Sequence, residues 1–261
     1  MNLPDGLRFR DYEPVRKIIV DFIRDYVANA GVKGVILGLS GGIDSSLVAT
    51  LACEAIGPEN VLGIMLPVDV EKDAKNISDA RLVAEQLGMN HEVFELKEAV
   101  AAYDSLNLDK VSRGNLAARL RMVTWYARAN QENRLVLGTG NKTELMIGYF
   151  TKYGDGGTDV LPIGELYKAN VWDLSRHVGV PESLIEKAPS AGLWEGQTDE
   201  KEIGVSYPEL DSILFLHIEK GMNVDEITSW GIERSKVAKV LKMIKRTQHK
   251  RDPLARPNPR N

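Results

Sequence analysis

Apolar positions in this 261-residue chain follow two alternating rhythms. Val15, Ile18, Ile19, Phe22, Ile23, Tyr26 and Val27 recur at helical spacing, with Pro14 near the start and Gly31 past the end, which predicts an amphipathic helix over 13–30. From there short apolar runs and helical patterns take turns. Strands are expected at 35–39, 61–66, 91–96 and 135–138, and helices at 45–56, 77–87, 115–130 and 141–148. Strands alternating with helices imply right-handed βαβ units. The expected fold class is α/β: a three-layer, mostly parallel, doubly wound sheet. After Phe150 the rhythm fades. Residues 151–165 carry four glycines, and 188–206 are polar with little periodicity. Helical patterns return at 207–220, from Asn223, and at 235–246. One domain over 1–261 is expected, with an α/β core over about 12–180 and a helical extension over about 207–250.

Ligands bind outside the carboxyl ends of parallel strands, here after Leu39, Leu66, Leu96 and Leu137. The first of these edges carries Ser40-Gly41-Gly42-Ile43-Asp44-Ser45-Ser46 between a strand and a helix. Free backbone N–H groups and the helix dipole make such a junction an anion site, and Ser40, Ser45 and Ser46 add hydroxyl donors. Asp44 would repel a phosphate unless a cation lies between them, which makes it a candidate Mg²⁺ ligand. Glu144, one turn into the helix after the last strand, is the candidate second carboxylate; Thr139 precedes it on the same edge. No Lys follows Gly42, so the loop is not Walker A, and Gly38-Leu39-Ser40-Gly41-Gly42 lacks the dinucleotide spacing. An ordinary two-glycine turn is the bland alternative. The loop resembles the SGGxDS loop of the N-type ATP pyrophosphatases (the PP-loop enzymes), which split ATP between the α- and β-phosphates.

Composition narrows the classes further. Hydrophobic residues at 43% and charged residues at 27% are those of an ordinary globular protein, and the net charge of −4 speaks against a nucleic-acid-coating role. No run of about 18 apolar residues predicts a membrane span, and residues 1–10 have no apolar core of a secretion signal. Cys53 is the single cysteine, which excludes an internal disulfide and fits a reducing cytoplasm, with Cys53 a small core residue. Helix 115–130 carries Leu116, Leu120, Val123, Tyr126 and Ala127 on one stripe, with Met122 and Trp125 off it. Apolar residues on more than one face need a second surface, from the extension or from a second copy of the chain.

Further segments converge: Arg113–Met122, Gly138–Glu144, Tyr149–Asp159, Pro189–Trp194 with Gln197–Glu200, and His249-Lys250-Arg251. Together they resemble the NAD⁺ synthetase family, in the family's order, from about residue 12 to about 252. The resemblance implies an adenine nucleotide alpha hydrolase-like fold and amidation of deamido-NAD⁺ by ammonia at the expense of ATP, with Mg²⁺. It implies that Gly38, Leu39, Ser40, Gly41, Gly42, Ile43, Asp44 and Ser45 hold the ATP phosphates, with Thr139, Lys168 and Ser190 as further ATP contacts. Asp44 and Glu144 would bind Mg²⁺, and Arg119, Lys152, Asp159, His249 and Lys250 would hold deamido-NAD⁺. Asp44, Lys168 and Asp159 are the residues expected at the chemistry. A homodimer is implied, with ammonia taken up free or from a separate glutaminase. By themselves Lys152, Lys168 and Lys250 read as solvated lysines, Arg119 as half of a surface ion pair, Asp159 as a turn residue and His249 as an exposed tail residue. Tyr149, Phe150 and Tyr153 suit ring stacking or core packing equally. Another PP-loop ligase or tRNA-modifying enzyme, or a nucleotide-binding module without catalysis, would share residues 35–56.

Overall fold

A computed structural model describes residues 3–190, 192 and 196–258. In chain order it contains α1 (Glu13–Ala30), β1 (Gly34–Gly38), α2 (Ile43–Ile56), β2 (Val61–Met65), α3 (Ala74–Leu87), β3 (Asn90–Val93), α4 (Lys97–Ala101), α5 (Lys110–Glu132), β4 (Arg134–Leu137) and α6 (Lys142–Ile147). After the glycine-rich segment come α7 (Lys168–His177), α8 (Glu182–Ile185), α9 (Asp199–Ile203), α10 (Tyr207–Ile218), α11 (Val224–Thr228), α12 (Arg234–Arg246) and α13 (Gln248–Arg251). The strands form one parallel sheet in the order β3-β2-β1-β4, with Val35 opposite both Val61 and Leu135. The expected α/β class, with helices on both faces, is what the chain adopts.

The sheet is apolar on both sides because helices cover both. Val35 and Leu37 of β1 pack with α1, α2, α3 and α7, whereas Ile36 packs with Trp125 and Ala129 of α5 and Val100 of α4. A separate core joins Ile147 of α6 and Tyr167 to Leu210, Ile213 and Leu214 of α10 and to Val237 and Val240 of α12. The extension therefore seals against the α/β layer at α6 and α7, next to the carboxyl ends of β1 and β4. Cys53 lies in the first of these cores, where burial pushes its thiol up to about 12. No helix among the described residues is long and apolar enough to cross a membrane.

Two expectations about helix faces change. On α1 the buried stripe is Ile19, Val20, Ile23 and Val27, and Ile18, Phe22 and Tyr26 are exposed. On α5 Trp125 faces the sheet rather than a second surface. A Cβ on Gly38 would lie 2.3 Å from its Cζ2, so the indole needs glycine there. Of the predicted stripe, Val123 is turned outward on α5. The short helices α4, α8 and α9, at 4–5 residues, are below the length at which periodicity shows. Helix α7 escapes for another reason: Lys168, Asn170 and Ser175 are buried with its apolar residues, which blurs the boundary between its apolar and polar faces.

Candidate active site

The loop after β1 is built by its own hydroxyls and one glycine. Gly41 takes φ +72°, and a Cβ there would meet the Asn76 carbonyl oxygen at 2.3 Å, so only glycine fits. The Ser40 hydroxyl accepts the Gly42 amide at 3.3 Å and lies 3.1 Å from the Ser45 hydroxyl, which donates to the Gly42 carbonyl at 3.0 Å. Gly42 is the N-cap of α2 in extended conformation, with no side chain capping the helix. That leaves first-turn N–H groups and the positive end of a 14-residue helix for an anion. Leu39 and Ile43 are buried, so they offer backbone only. Ser46 is also buried and spends its hydroxyl on the Gly42 carbonyl at 2.8 Å, so it braces the loop from below rather than lining it.

Asp44 leaves this loop toward two helices that follow it far later in the chain. Its Oδ2 accepts from Lys168 Nζ at 2.5 Å and its Oδ1 from Asn141 Nδ2 at 2.9 Å. Lys168 Nζ also stands 3.6 Å from Glu144 Oε1. Asn141 and Glu144 form a capping box at the start of α6, which fixes the Glu144 carboxylate beside the helix end. Burial, and after it the Asp44 charge, pushes Glu144 up to about 8. Burial alone would push Lys168 down. Asp44 and Glu144 outweigh that and hold its ammonium above the usual lysine range, so it stays charged although only 1% exposed. Two carboxylates converging where one repels the other suit a hard divalent cation that completes its shell with phosphate and water. Among the described residues no group of three or more His, Cys, Asp or Glu could cage a metal alone.

A second cluster forms where α13 meets the glycine-rich segment. Lys152 Nζ donates to the His249 carbonyl at 2.6 Å, and Lys250 Nζ donates to the Gly148 and Phe150 carbonyls at 2.7 and 2.6 Å. Burial, with Arg246 and Arg119 nearby, pushes Lys250 below the usual lysine range against the pull of Asp155. The structure thus brings Arg119, Lys152, His249 and Lys250 together, and separately Asp44, Glu144 and Lys168. Asp159 belongs elsewhere: its carboxylate accepts from the Val136 amide at 2.8 Å and the Tyr126 hydroxyl at 2.9 Å, clasping the β4 edge. Thr139 is half-buried in the loop after β4. Ser190 is exposed, its hydroxyl accepting the Gly192 amide at 3.1 Å. Ala191, Leu193 and Trp194 of the motif quoted above lie outside the described residues.

A family model described as NAD synthase matches residues 15–254. The chain belongs to the NAD synthase family. It is 47% identical to the NH₃-dependent NAD⁺ synthetase of Methanosarcina mazei over 92% of this chain and 96% of that one. To the protein of the same name from Archaeoglobus fulgidus it is 48% identical, over 94% and 98%. Among solved structures, an NH₃-dependent NAD synthetase from Campylobacter jejuni in complex with nitrate matches with TM-score 0.82 and 31% identity, covering 96% of this chain and all of that one. An NMN synthetase from Francisella tularensis matches with TM-score 0.83 and 34% identity, over the same shares.

Several residues around this site are given no role by the sequence pattern. Lys187 Nζ donates to the Gly41 carbonyl at 3.1 Å, Asn76 Oδ1 at 2.8 Å and Asp79 Oδ2 at 2.8 Å, pinning the loop to α3; nothing local distinguishes it from a surface lysine. Asn141 was legible as the first residue of an Asn-x-x-Glu capping pattern. Asp211 was legible too, as the one carboxylate in the middle of the apolar α10 pattern.

Proposed function

We propose that this member of the NAD synthase family makes NAD⁺ from deamido-NAD⁺, ATP and ammonia, releasing AMP and pyrophosphate. The observation that carries the reading is the Lys168 ammonium held between Asp44 of the anion loop and Glu144 of α6. A carboxylate does not exchange oxygen for nitrogen directly, because oxide is too poor a leaving group. The nicotinate carboxylate oxygen instead attacks the α-phosphorus, and the bond from that phosphorus to the oxygen bridging to the β-phosphorus breaks. Pyrophosphate departs and an acyl-adenylate remains. Ammonia then forms the C–N bond, the acyl C–O bond breaks to release AMP, and the nitrogen gives up one proton. Charge neutralisation and alignment dominate such transfers. The α2 N–H groups and Lys168 would stabilise the departing pyrophosphate. Asp44 and Glu144 are the residues that would hold Mg²⁺, which supplies further charge neutralisation at the phosphates when bound.

The basic cluster of Arg119, Lys152, His249 and Lys250 would take the dinucleotide phosphates, with Thr139 and Ser190 as further ATP contacts. Asp159, whose carboxylate braces β4, would face the nicotinate end. A homodimer and a cytoplasmic setting belong to the same reading: Arg119 and Val123 are both exposed on α5, so substrate and a second copy of the chain would meet on one helix. The likeness to a protein named NMN synthetase makes nicotinate mononucleotide the substrate to test beside deamido-NAD⁺. With ATP and ammonium, deamido-NAD⁺ is expected to give NAD⁺, AMP and pyrophosphate in equal amounts; ADP and phosphate would refute the adenylate route. A higher kcat/KM for the mononucleotide would reassign the substrate. Glutamine replacing ammonium is expected to give no product from the chain alone, whether the nitrogen in the cell is free ammonia or comes from a separate glutaminase.

A further inference from the structure

We infer that Asp211, on α10 of the helical extension, is a positioning residue for Lys168 and Glu144. Its carboxylate is fully buried and reaches two other helices at once. Oδ1 accepts from the Thr143 hydroxyl at 2.5 Å in the first turn of α6, and Oδ2 accepts from the Ala169 amide at 2.8 Å in the first turn of α7. The Thr143 oxygen in turn accepts the Lys168 amide at 2.9 Å, which closes the link between the two helix starts. No side chain of its own caps α7. Asp211 therefore supplies that cap from 42 residues away and sets the charge where a helix N-terminus favours it. Thr143 adjoins Glu144 in sequence, and Ala169 adjoins Lys168. A shift between the two helix starts moves Lys168 Nζ relative to Asp44 and Glu144 directly. A buried carboxylate is costly unless hydrogen-bonded, and apolar neighbours on α10 would fill the space without that cost if packing were its whole purpose. The spacing between Lys168 and Glu144 is thus set from the helical extension as well as from the α/β layer that carries the anion loop.

This rests on Lys168 and Glu144 acting at the reacting centre, so Lys168→Met serves as the reference variant. Asp211→Asn and Thr143→Val are expected to lower kcat by about 10- to 100-fold, the scale of misplacing a group by about 1 Å. KM for ATP and for deamido-NAD⁺ should stay within about threefold, because the loop and the basic cluster are untouched. Thr143→Ser keeps the hydroxyl and should recover kcat to within about threefold of the native chain. Single-turnover pyrophosphate release should slow in step with kcat. If Asp211→Asn does not fold, the Thr143 pair decides alone. Native-like kcat in Thr143→Val, KM rising in proportion as kcat falls, or no recovery in Thr143→Ser would each overturn the positioning role, provided Lys168→Met is inactive. Full activity in Lys168→Met would instead remove the reading of the site on which the role depends.

Discussion

The two charged clusters solve opposite problems. At Asp44, Glu144 and Lys168 a buried cation lies within 3.6 Å of two carboxylates, so most of its charge is answered by protein. In the basic cluster the cations are held by backbone carbonyls. Lys152 rests on that of His249, Lys250 on those of Gly148 and Phe150, and Arg251 on those of Leu145, Met146 and Ile244. Among the described residues no carboxylate lies within ion-pair distance of these three. A carbonyl dipole fixes where an ammonium sits while leaving its net charge in place. The first cluster is therefore pre-balanced and suited to charge that moves during reaction. The second stays net positive and suited to an anion that stays put.

Removing charge from each should separate them. Asp44→Asn is expected to cost at least about 10²-fold in turnover with the fold intact, as for loss of one preorganised electrostatic group; pyrophosphate release at the native rate would break the distinction at its stronger end. The pH dependence should also belong to the first cluster alone. Burial and the Asp44 charge hold Glu144 above the usual carboxylate range, up to about 8, so a proton competes with a divalent cation for its carboxylate near neutrality. Mg²⁺ affinity in the presence of a non-hydrolysable ATP analogue should then rise by about tenfold per pH unit up to that value and level off above it. A flat titration below pH 8 would mean that Glu144 is already ionised. Lys250→Met should raise KM for deamido-NAD⁺ by about tenfold, the scale of one charge-assisted contact, with kcat nearly constant. A fall in kcat with KM unchanged would place Lys250 at the chemistry. The smallest effect concerns assembly: scattering should give about twice the 28.9 kDa chain mass, and Val123→Glu should shift it toward the monomer. A fully active native monomer would remove the second copy from the site.

The two clusters were also unequally legible. Asp44 and Glu144 could be read because each follows a strand end at a fixed short distance, and parallel sheets put ligands there. Lys152, His249 and Lys250 stood out only through resemblance, since a lysine held by carbonyls has the same local pattern as a solvated one. Trp125 shows the limit of periodicity. Its place off the α5 stripe suggested an outward face, but Gly38 on β1 leaves room for an indole and draws it inward. The α1 stripe turned by one residue for a like reason, because the neighbours that bury Ile19, Val20 and Ile23 lie outside the helix.

Residues within a few positions of each other determine strand–helix order, turn chemistry and capping, since these depend on local dihedrals and spacing. The sequence by itself therefore determined the βαβ succession, the anion loop with Gly41 at its tight point, and the two carboxylates at the strand edge. What each side chain answers to was decided by the tertiary structure. Lys168 meets Asp44 across 124 residues, Lys187 meets Gly41 across 146, and Asp211 meets Thr143 across 68. Such pairs come from helices packing as layers, and burial makes an unpaired charge costly enough that its partner matters. No local pattern encodes a partner that only packing brings near.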